Sequence, residues 1–168
     1  MIKPIHEKQT MKISSLLLIL FIFLAACKNK KQGHLADYND RIVNMIEEAD
    51  ITMKTWNNSD IMQNYEVNKE AAKNKITGLQ DSIKKMQPNG KDDTLRIAGI
   101  SVLTSYLQAF SIYDTIFAIL SDSLFLKEDS VRVQNLLQTN KNLIEQQSTT
   151  FGEIQKRFAG RYELDFMQ

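Results

Sequence analysis

The chain has 168 residues, with 21 basic and 20 acidic side chains and a formal net charge of +1 at pH 7. This near-neutral balance argues against a nucleic-acid-binding protein and against a polybasic membrane contact. Cys27 is the single cysteine, so an intrachain disulfide is excluded.

The N-terminal region has the pattern of a secretory signal. Lys12 precedes an apolar run, Ile13 to Leu24, which is shorter than the roughly 20 residues of a transmembrane helix. The run ends in Leu24-Ala25-Ala26-Cys27, which resembles the lipobox of bacterial lipoproteins. This resemblance implies cleavage before Cys27 and acylation of that residue, and two or three acyl chains make a stable anchor. An ordinary secreted protein with a coincidental cysteine is the alternative.

The sequence therefore predicts three parts. Residues 1–26 form a lipoprotein signal peptide, residues 27–33 form the lipidated cysteine and a polar tether, and residues 34–168 form one domain. Met11 is an alternative start to Met1. Without the signal peptide the chain is near neutral and has a length typical of a single domain.

Apolar residues at alternating spacings of three and four predict the first two helices. The first runs from about Leu35 to Asn57, and Asn57-Asn58-Ser59-Asp60 separates it from the second. The second runs from about Asp60 to Gln87, with Asn68 as a polar residue on its apolar seam. Pro88-Asn89-Gly90 then ends the helix, because proline cannot continue it.

Two further helices complete the predicted domain. The third starts at a cap, Asp92-Asp93-Thr94, runs to about Ser121 and is the most apolar, although Asp114 interrupts it. We expect it to be the most buried helix and not a membrane span. The fourth, capped by Glu128-Asp129-Ser130, runs from Val131 to about Ala159, before Gly160. Four helices with short connections predict an all-α, antiparallel up-down-up-down four-helix bundle.

The residues that would support catalysis are scarce. After the signal peptide His34 is the only histidine, and the chain lacks a Glu-x-x-His motif, a Cys-x-x-Cys-His motif and a glycine-rich phosphate loop. The acidic pairs are adjacent in sequence, so on a helix they point about 100° apart; they are Glu47-Glu48, Asp92-Asp93 and Glu128-Asp129. We therefore expect no catalytic residue, no metal site and no cofactor.

Three polar residues on the helical seams are candidates for a specific role: Asn68, Asn140 and Gln147. They are expected to form buried hydrogen bonds that fix the register of the helices, as a seam asparagine does in coiled coils. The alternative is a small polar pocket between the helices that binds a ligand.

A tripeptide of the form Asp-Ser/Thr-aliphatic recurs along the chain. It resembles the O-glycosylation motif of periplasmic and surface proteins in Bacteroidetes-type bacteria. Thr94 and Ser130 are explained by helix capping, which leaves Ser82, Thr115 and Ser123 as candidate glycosylation sites.

Both ends of the predicted domain resemble a known family. The segment Asp37 to Val43 opens the first helix, and spaced residues from Glu145 to Leu164 close the last; the latter include Phe151, Gln155, Phe158 and Tyr162. With the lipobox, these segments resemble an uncharacterised family of bacterial helical-bundle surface lipoproteins found in spirochaetes and Bacteroidetes. The resemblance implies a fold and a location, and no activity.

The expected function is that of a non-enzymatic, lipid-anchored interaction or scaffolding module of the cell envelope. It would offer a helical face or its aromatic tail, Tyr162 and Phe166, to an envelope protein. Carriage of a small ligand in a cavity between the helices is the alternative. Lys28, rather than an aspartate, follows Cys27, which resembles outer-membrane sorting. The basic stretch Lys28 to Gln32 differs from the acidic one that resembles a surface-export signal, so we expect the periplasmic face.

Overall fold

A computed structural model describes residues 10–58, 65–87, 92–122, 124 and 126–164. These residues form four α-helices, which are α1 (Thr10–Asn58), α2 (Tyr65–Lys85), α3 (Thr94–Leu120) and α4 (Lys127–Tyr162). The described parts contain no β-strand. The prediction of an all-α four-helix bundle is confirmed.

The first helix begins much earlier than predicted. It starts at Thr10 instead of Leu35, and it includes the stretch Lys28 to Gly33 that was expected to be a tether. No proline lies between residues 10 and 58, and Gly33 is the one glycine there. A single glycine costs only about 1 kcal/mol in a helix interior, so the sequence lacks a strong helix breaker at this boundary.

The fourth helix is longer than predicted at both ends. It starts at Lys127, because the backbone N–H of Leu126 donates to the Asp129 carboxylate at 2.9 Å. Asp129 therefore caps the helix from inside its first turn. At the other end the helix continues through Gly160 to Tyr162, and Glu163 adopts a left-handed conformation with φ of 53°. For α2, the predicted start at Asp60 lies outside the described residues.

The third helix is the centre of the bundle. It contacts α1, α2 and α4, whereas no Cα atom in the described part of α2 lies within 8 Å of one in α4. Its buried positions cover more than one stripe: Leu95, Ala98, Gly99, Val102, Leu103, Ser105, Tyr106, Ala109, Phe110 and Ile116. Among the side chains that the structure describes, α3 has the most buried residues, as expected.

The two ends of the bundle have different aromatic clusters. At the proximal end, where Tyr38 of α1 meets the C-terminus of α4, the Tyr38 and Phe158 ring centroids are 6.1 Å apart. At the distal end, where α3 leads into α4, Trp56 of α1 packs edge-on against Phe110, and Tyr65 of α2 stacks on Phe117 at 4.6 Å. These contacts join α4 to α1 at the proximal end, and α1 and α2 to α3 at the distal end.

Among the described residues, one helix, α3, has the length and the apolar composition that could span a membrane. Half of its apolar window is buried against the other helices. The same burial is typical of the core helix of a bundle.

Candidate functional site

The structure places the three predicted seam residues apart. Asn68 lines a surface groove of about 340 Å³ between α1 and α2, together with Ile51 and Trp56. Gln147 lines a different groove, between α3 and α4. Asn140 is buried in α4, and its side-chain oxygen has no hydrogen-bond donor among the described residues. The three side chains therefore do not line a common pocket.

Lys69, which was not singled out from the sequence, is the main buried polar residue of the α2–α3 contact. It is 8% exposed, and its ammonium donates to Asp114 at 2.8 Å and pairs with Glu66 at 2.7 Å. The Tyr65 hydroxyl donates to the same Asp114 oxygen at 2.9 Å. The hydrogen bond to Asp114 is the largest influence that raises the pKa of Lys69, so the ammonium is retained despite burial.

A second polar contact joins the middle of α2 to α3. The buried Gln80 amide donates to the Thr104 hydroxyl at 2.8 Å, and Lys84 donates to the Gln80 carbonyl oxygen at 2.7 Å. The nitrogen and the oxygen of the Gln80 amide therefore both have hydrogen-bond partners. The bond to Thr104 fixes the register of α2 on α3.

Tyr106 links three helices at the centre of the bundle. Its hydroxyl donates to Asp50 of α1 at 3.4 Å, and Ser148 of α4 forms a hydrogen bond with it. Burial, reinforced by Asp50, raises the pKa of Tyr106 to about 12. The phenol therefore stays neutral up to strongly alkaline pH, and its hydroxyl connects α3 to α1.

Polar contacts at the proximal end attach α4 to the connection between α2 and α3. Arg161 of α4 pairs with Asp92, which also accepts a hydrogen bond from the Thr94 hydroxyl at 2.6 Å. The Thr94 hydrogen bond is the largest cause that lowers the pKa of Asp92. Arg96 donates to Asp93 and to the backbone carbonyl of Lys84.

The predicted aromatic tail is only partly described. Tyr162 packs edge-on against Phe158 with ring centroids 4.9 Å apart, so much of its ring belongs to the bundle. Phe166 lies outside the described residues.

Large apolar side chains are exposed together at the distal end. We name this surface the distal patch; it consists of Leu120, Leu124, Leu126 and Val131, which are 52–76% exposed. All four lie within or beside the connection between α3 and α4. From the sequence, Leu124, Phe125 and Leu126 are candidates to fold under the bundle end. Phe125 lies outside the described residues, and the structure leaves the Leu124 and Leu126 side chains in solvent.

A shallow groove follows the contact between α3 and α4. It comprises two hollows of about 200 and 290 Å³ that share Ser101 and Gln147. We call it the α3–α4 groove. Its hydroxyl-bearing side chains are Thr94, Ser101, Thr104, Ser105 and Thr150, its amides are Gln108 and Gln147, and its large aliphatic side chains are Ile97, Leu143 and Ile154.

The candidate modification sites are only partly described. Ser82 and Thr115 are exposed on α2 and α3, and each hydroxyl donates to the backbone carbonyl four residues earlier, at 2.8 and 3.0 Å. Ser123 lies outside the described residues. Cys27 is within α1, and its side chain is not among those described.

In the described part of the chain, no three His, Cys, Asp or Glu side chains are close enough together to hold a metal ion. Comparison of the chain with protein-family models, curated proteins and solved structures finds no match. The resemblance to bacterial helical-bundle lipoproteins therefore stays a prediction.

Proposed function

We propose that this chain is a non-enzymatic, lipid-anchored protein of the cell envelope that presents a protein-binding surface away from its membrane. The anchor is Cys27, which follows the apolar run and resembles the acylated cysteine of a lipobox. Lys28 after it favours the outer membrane, and the basic stretch that follows favours the periplasmic leaflet.

The distal patch is the observation that supports the binding role. Single exposed apolar residues are common on protein surfaces, but a group of large ones around one corner is typical of an interaction site. Leu124 is 76% exposed and Leu126 is 60% exposed. Burying these side chains against a partner contributes roughly 25 cal/mol per Å² of apolar surface.

The position of the patch indicates which partner it fits. Cys27 leads into the proximal end, and the patch is at the opposite end of α3, which has 27 residues and so is about 40 Å long at 1.5 Å per residue. A patch at that distance does not contact the bilayer that holds Cys27. We infer that its partner is another envelope protein with an exposed apolar surface.

The anchor is tested by Cys27→Ala in the native host. The wild-type chain is expected to incorporate an alkyne-bearing fatty acid and to sediment with membranes. Loss of the thiol removes the acylation site, so the variant should lose the label and appear in the soluble fraction. Equal labelling of the variant contradicts the anchor.

The patch is tested with a photocrosslinking amino acid at Leu124 and a control probe at Thr149, which is exposed on α4. The Leu124 probe should give one crosslinked envelope protein that the Thr149 probe does not give. Leu126→Glu should abolish this product, whereas Ile51→Glu, at an isoleucine 62% exposed on α1, should leave it intact. A crosslink to lipid or to a second copy of the chain contradicts the proposed partner.

We also propose O-glycosylation at Ser82 and Thr115, because both side chains are exposed within the Asp-Ser/Thr-aliphatic pattern. Intact mass spectrometry of protein from its native host tests this. Each substitution to alanine should remove one glycan mass, and a mass equal to sequence plus lipid contradicts the proposal.

A further inference from the structure

The α3–α4 groove has an unusual lining for this chain. Charged residues make up 24% of the sequence, yet the described side chains that line the groove include none. A site without charge does not select phosphates, nucleotides or metal ions, because those ligands require compensating charges. The lining therefore fits an uncharged ligand.

The hydroxyl groups of the groove present oxygen lone pairs. Ser101, Thr104 and Ser105 each donate their single hydrogen to a backbone carbonyl of α3, at 3.1, 2.8 and 2.6 Å. A hydroxyl has one donor and two acceptor lone pairs. Thr104 already accepts a hydrogen bond from Gln80 and Ser105 is only 2% exposed, so Ser101 supplies most of the acceptor capacity that remains for a ligand. The Gln108 and Gln147 amides add both donors and acceptors.

Asn140 continues the same α4 stripe. It lies seven residues before Gln147, hence on the same helix face. It is 5% exposed, and its side-chain oxygen receives no hydrogen bond from the residues that the structure describes. Asn140 lines neither hollow of the groove, so its buried oxygen is not available to a ligand bound there.

We propose that the α3–α4 groove binds a small neutral carbohydrate. A sugar supplies several O–H donors for the acceptor oxygens, while its C–H face packs on Ile97, Leu143 and Ile154. A partner helix fits less well, because helix docking needs a continuous apolar groove for anchors spaced three, four and seven residues apart. Sugar binding here requires neither the anchor nor the distal patch. Gln147, which lines both hollows, would contact the sugar.

The size and composition of the groove predict weak binding. Hollows of about 200 and 290 Å³ are below the roughly 300–1,000 Å³ of most ligand pockets. None of the described lining side chains is aromatic, so the sugar has no ring on which to stack. A method that detects low-affinity complexes is therefore needed.

The test is a nitrogen–proton NMR titration of the full-length chain in a detergent without a sugar headgroup. The probes are diacetylchitobiose and maltotriose, with a uronate disaccharide as the charged control. We expect saturable shifts of the Gln108 and Gln147 side-chain amides and the Ser101 backbone amide with at least one neutral probe. Absence of saturable shifts, or shifts confined to other surfaces, overturns the proposal.

Matched variants separate the groove from general effects. Gln147→Leu should weaken binding by about tenfold, which corresponds to roughly 1.4 kcal/mol, whereas Gln146→Leu on the exposed face of α4 should not change it. If Gln147→Leu does not fold, Ser101→Leu replaces it, because the larger side chain fills the groove. Ser111→Leu, at an exposed position of α3, is its control. Equal weakening by a variant and its control contradicts the proposal. Stronger shifts with an uncharged hexapeptide than with either sugar would assign the groove to a protein ligand.

Discussion

At the scale of single residues, Lys69 places a positive charge inside the α2–α3 contact. Its ammonium bonds to Asp114 and Glu66 and lies 5.2 Å from the centre of the Tyr65 ring. Both carboxylates are partly solvated, with exposed side-chain fractions of 47% and 71%. Water therefore screens these pairs. Their contribution to the free energy of unfolding lies between that of a surface ion pair and that of a buried one.

Replacing Lys69 by methionine should lower the free energy of unfolding by about 1–2 kcal/mol, because Asp114 loses a charged donor at a half-buried site. Lys73→Met is the control, since Lys73 is half exposed and pairs loosely with Glu70 at 3.7 Å; its effect should stay within about 0.5 kcal/mol. Urea denaturation measures both. Equal effects would show that the buried contact adds no stability.

The spacing of apolar residues could not distinguish Lys69 from Asn68. Both lie between Tyr65 and Ala72 with spacings of three and four, so either residue fits the seam. An isolated buried ammonium is very unfavourable, so an asparagine is the expected choice for a seam position. The compensating carboxylate of Asp114 is 45 positions away along the chain. Only the folded structure shows that pairing, so the sequence alone favoured the wrong residue for the most buried position.

Buried tyrosines predict a loss of stability in alkali. Burial raises the pKa of Tyr38 and of Tyr106 to about 12, from 10.0 for an exposed tyrosine. Between these values the unfolded chain releases protons that the folded chain retains, so the free energy of unfolding should fall as pH rises from 10 to 12. Urea midpoints across that range measure the slope. Tyr106→Phe should make it shallower, and an unchanged slope would contradict the assignment.

At the scale of elements, α1 and α3 approach closely at Gly99. A Cβ atom at this position would lie 2.8 Å from Cγ2 of Ile42, which is fully buried and cannot move aside. Gly99 is therefore a packing requirement, although glycine is otherwise unfavourable within a helix. Gly78 in α2 has no atom within 4 Å of the corresponding point.

The two glycines should respond to alanine with opposite signs. Gly99→Ala should lower the free energy of unfolding by about 1–3 kcal/mol through overpacking. Gly78→Ala should raise it by about 0.5–1 kcal/mol, because alanine favours the helix and meets no obstacle. Thermal denaturation of both variants measures the difference. A gain in stability for both would exclude a tight contact at Gly99.

The helices themselves could be predicted more reliably than their ends. Long seams with spacings of three and four gave all four, because a core-facing helix needs a continuous apolar stripe. The start of α4 was placed late because Asp129 acts at the third helical position, where its carboxylate caps Leu126. The sequence does not distinguish a carboxylate that caps from the third helical position from one that belongs to the N-cap residue. The same residues were therefore consistent with either start of α4.

At the scale of the whole molecule, burial is uneven along α4. No residue from Lys127 to Thr139 is buried, whereas Phe151, Phe158 and Ala159 are buried near its C-terminus. Few apolar contacts mean a low free energy of local opening. The N-terminal half of α4 is therefore the least stable helical segment among those with described side chains.

Hydrogen exchange should reveal this order. Backbone amides between Lys127 and Thr139 are expected to exchange first among the residues with described side chains, and those of the buried α3 positions last. Exchange followed by mass spectrometry on peptides from each helix measures it. Faster exchange in the middle of α3 than in the first half of α4 would contradict the arrangement.

The position of α3 between α2 and α4 also determines how the bundle assembles. The described parts of these two helices are not adjacent, so neither guides the other into place. Of the described helices, α4 packs mainly on α3, whereas α2 packs on both α1 and α3. Formation of α3 with a first neighbour is therefore the expected slow event of folding. Substitutions in the core of α3 should slow folding, whereas those in the exposed half of α4 should mainly speed unfolding.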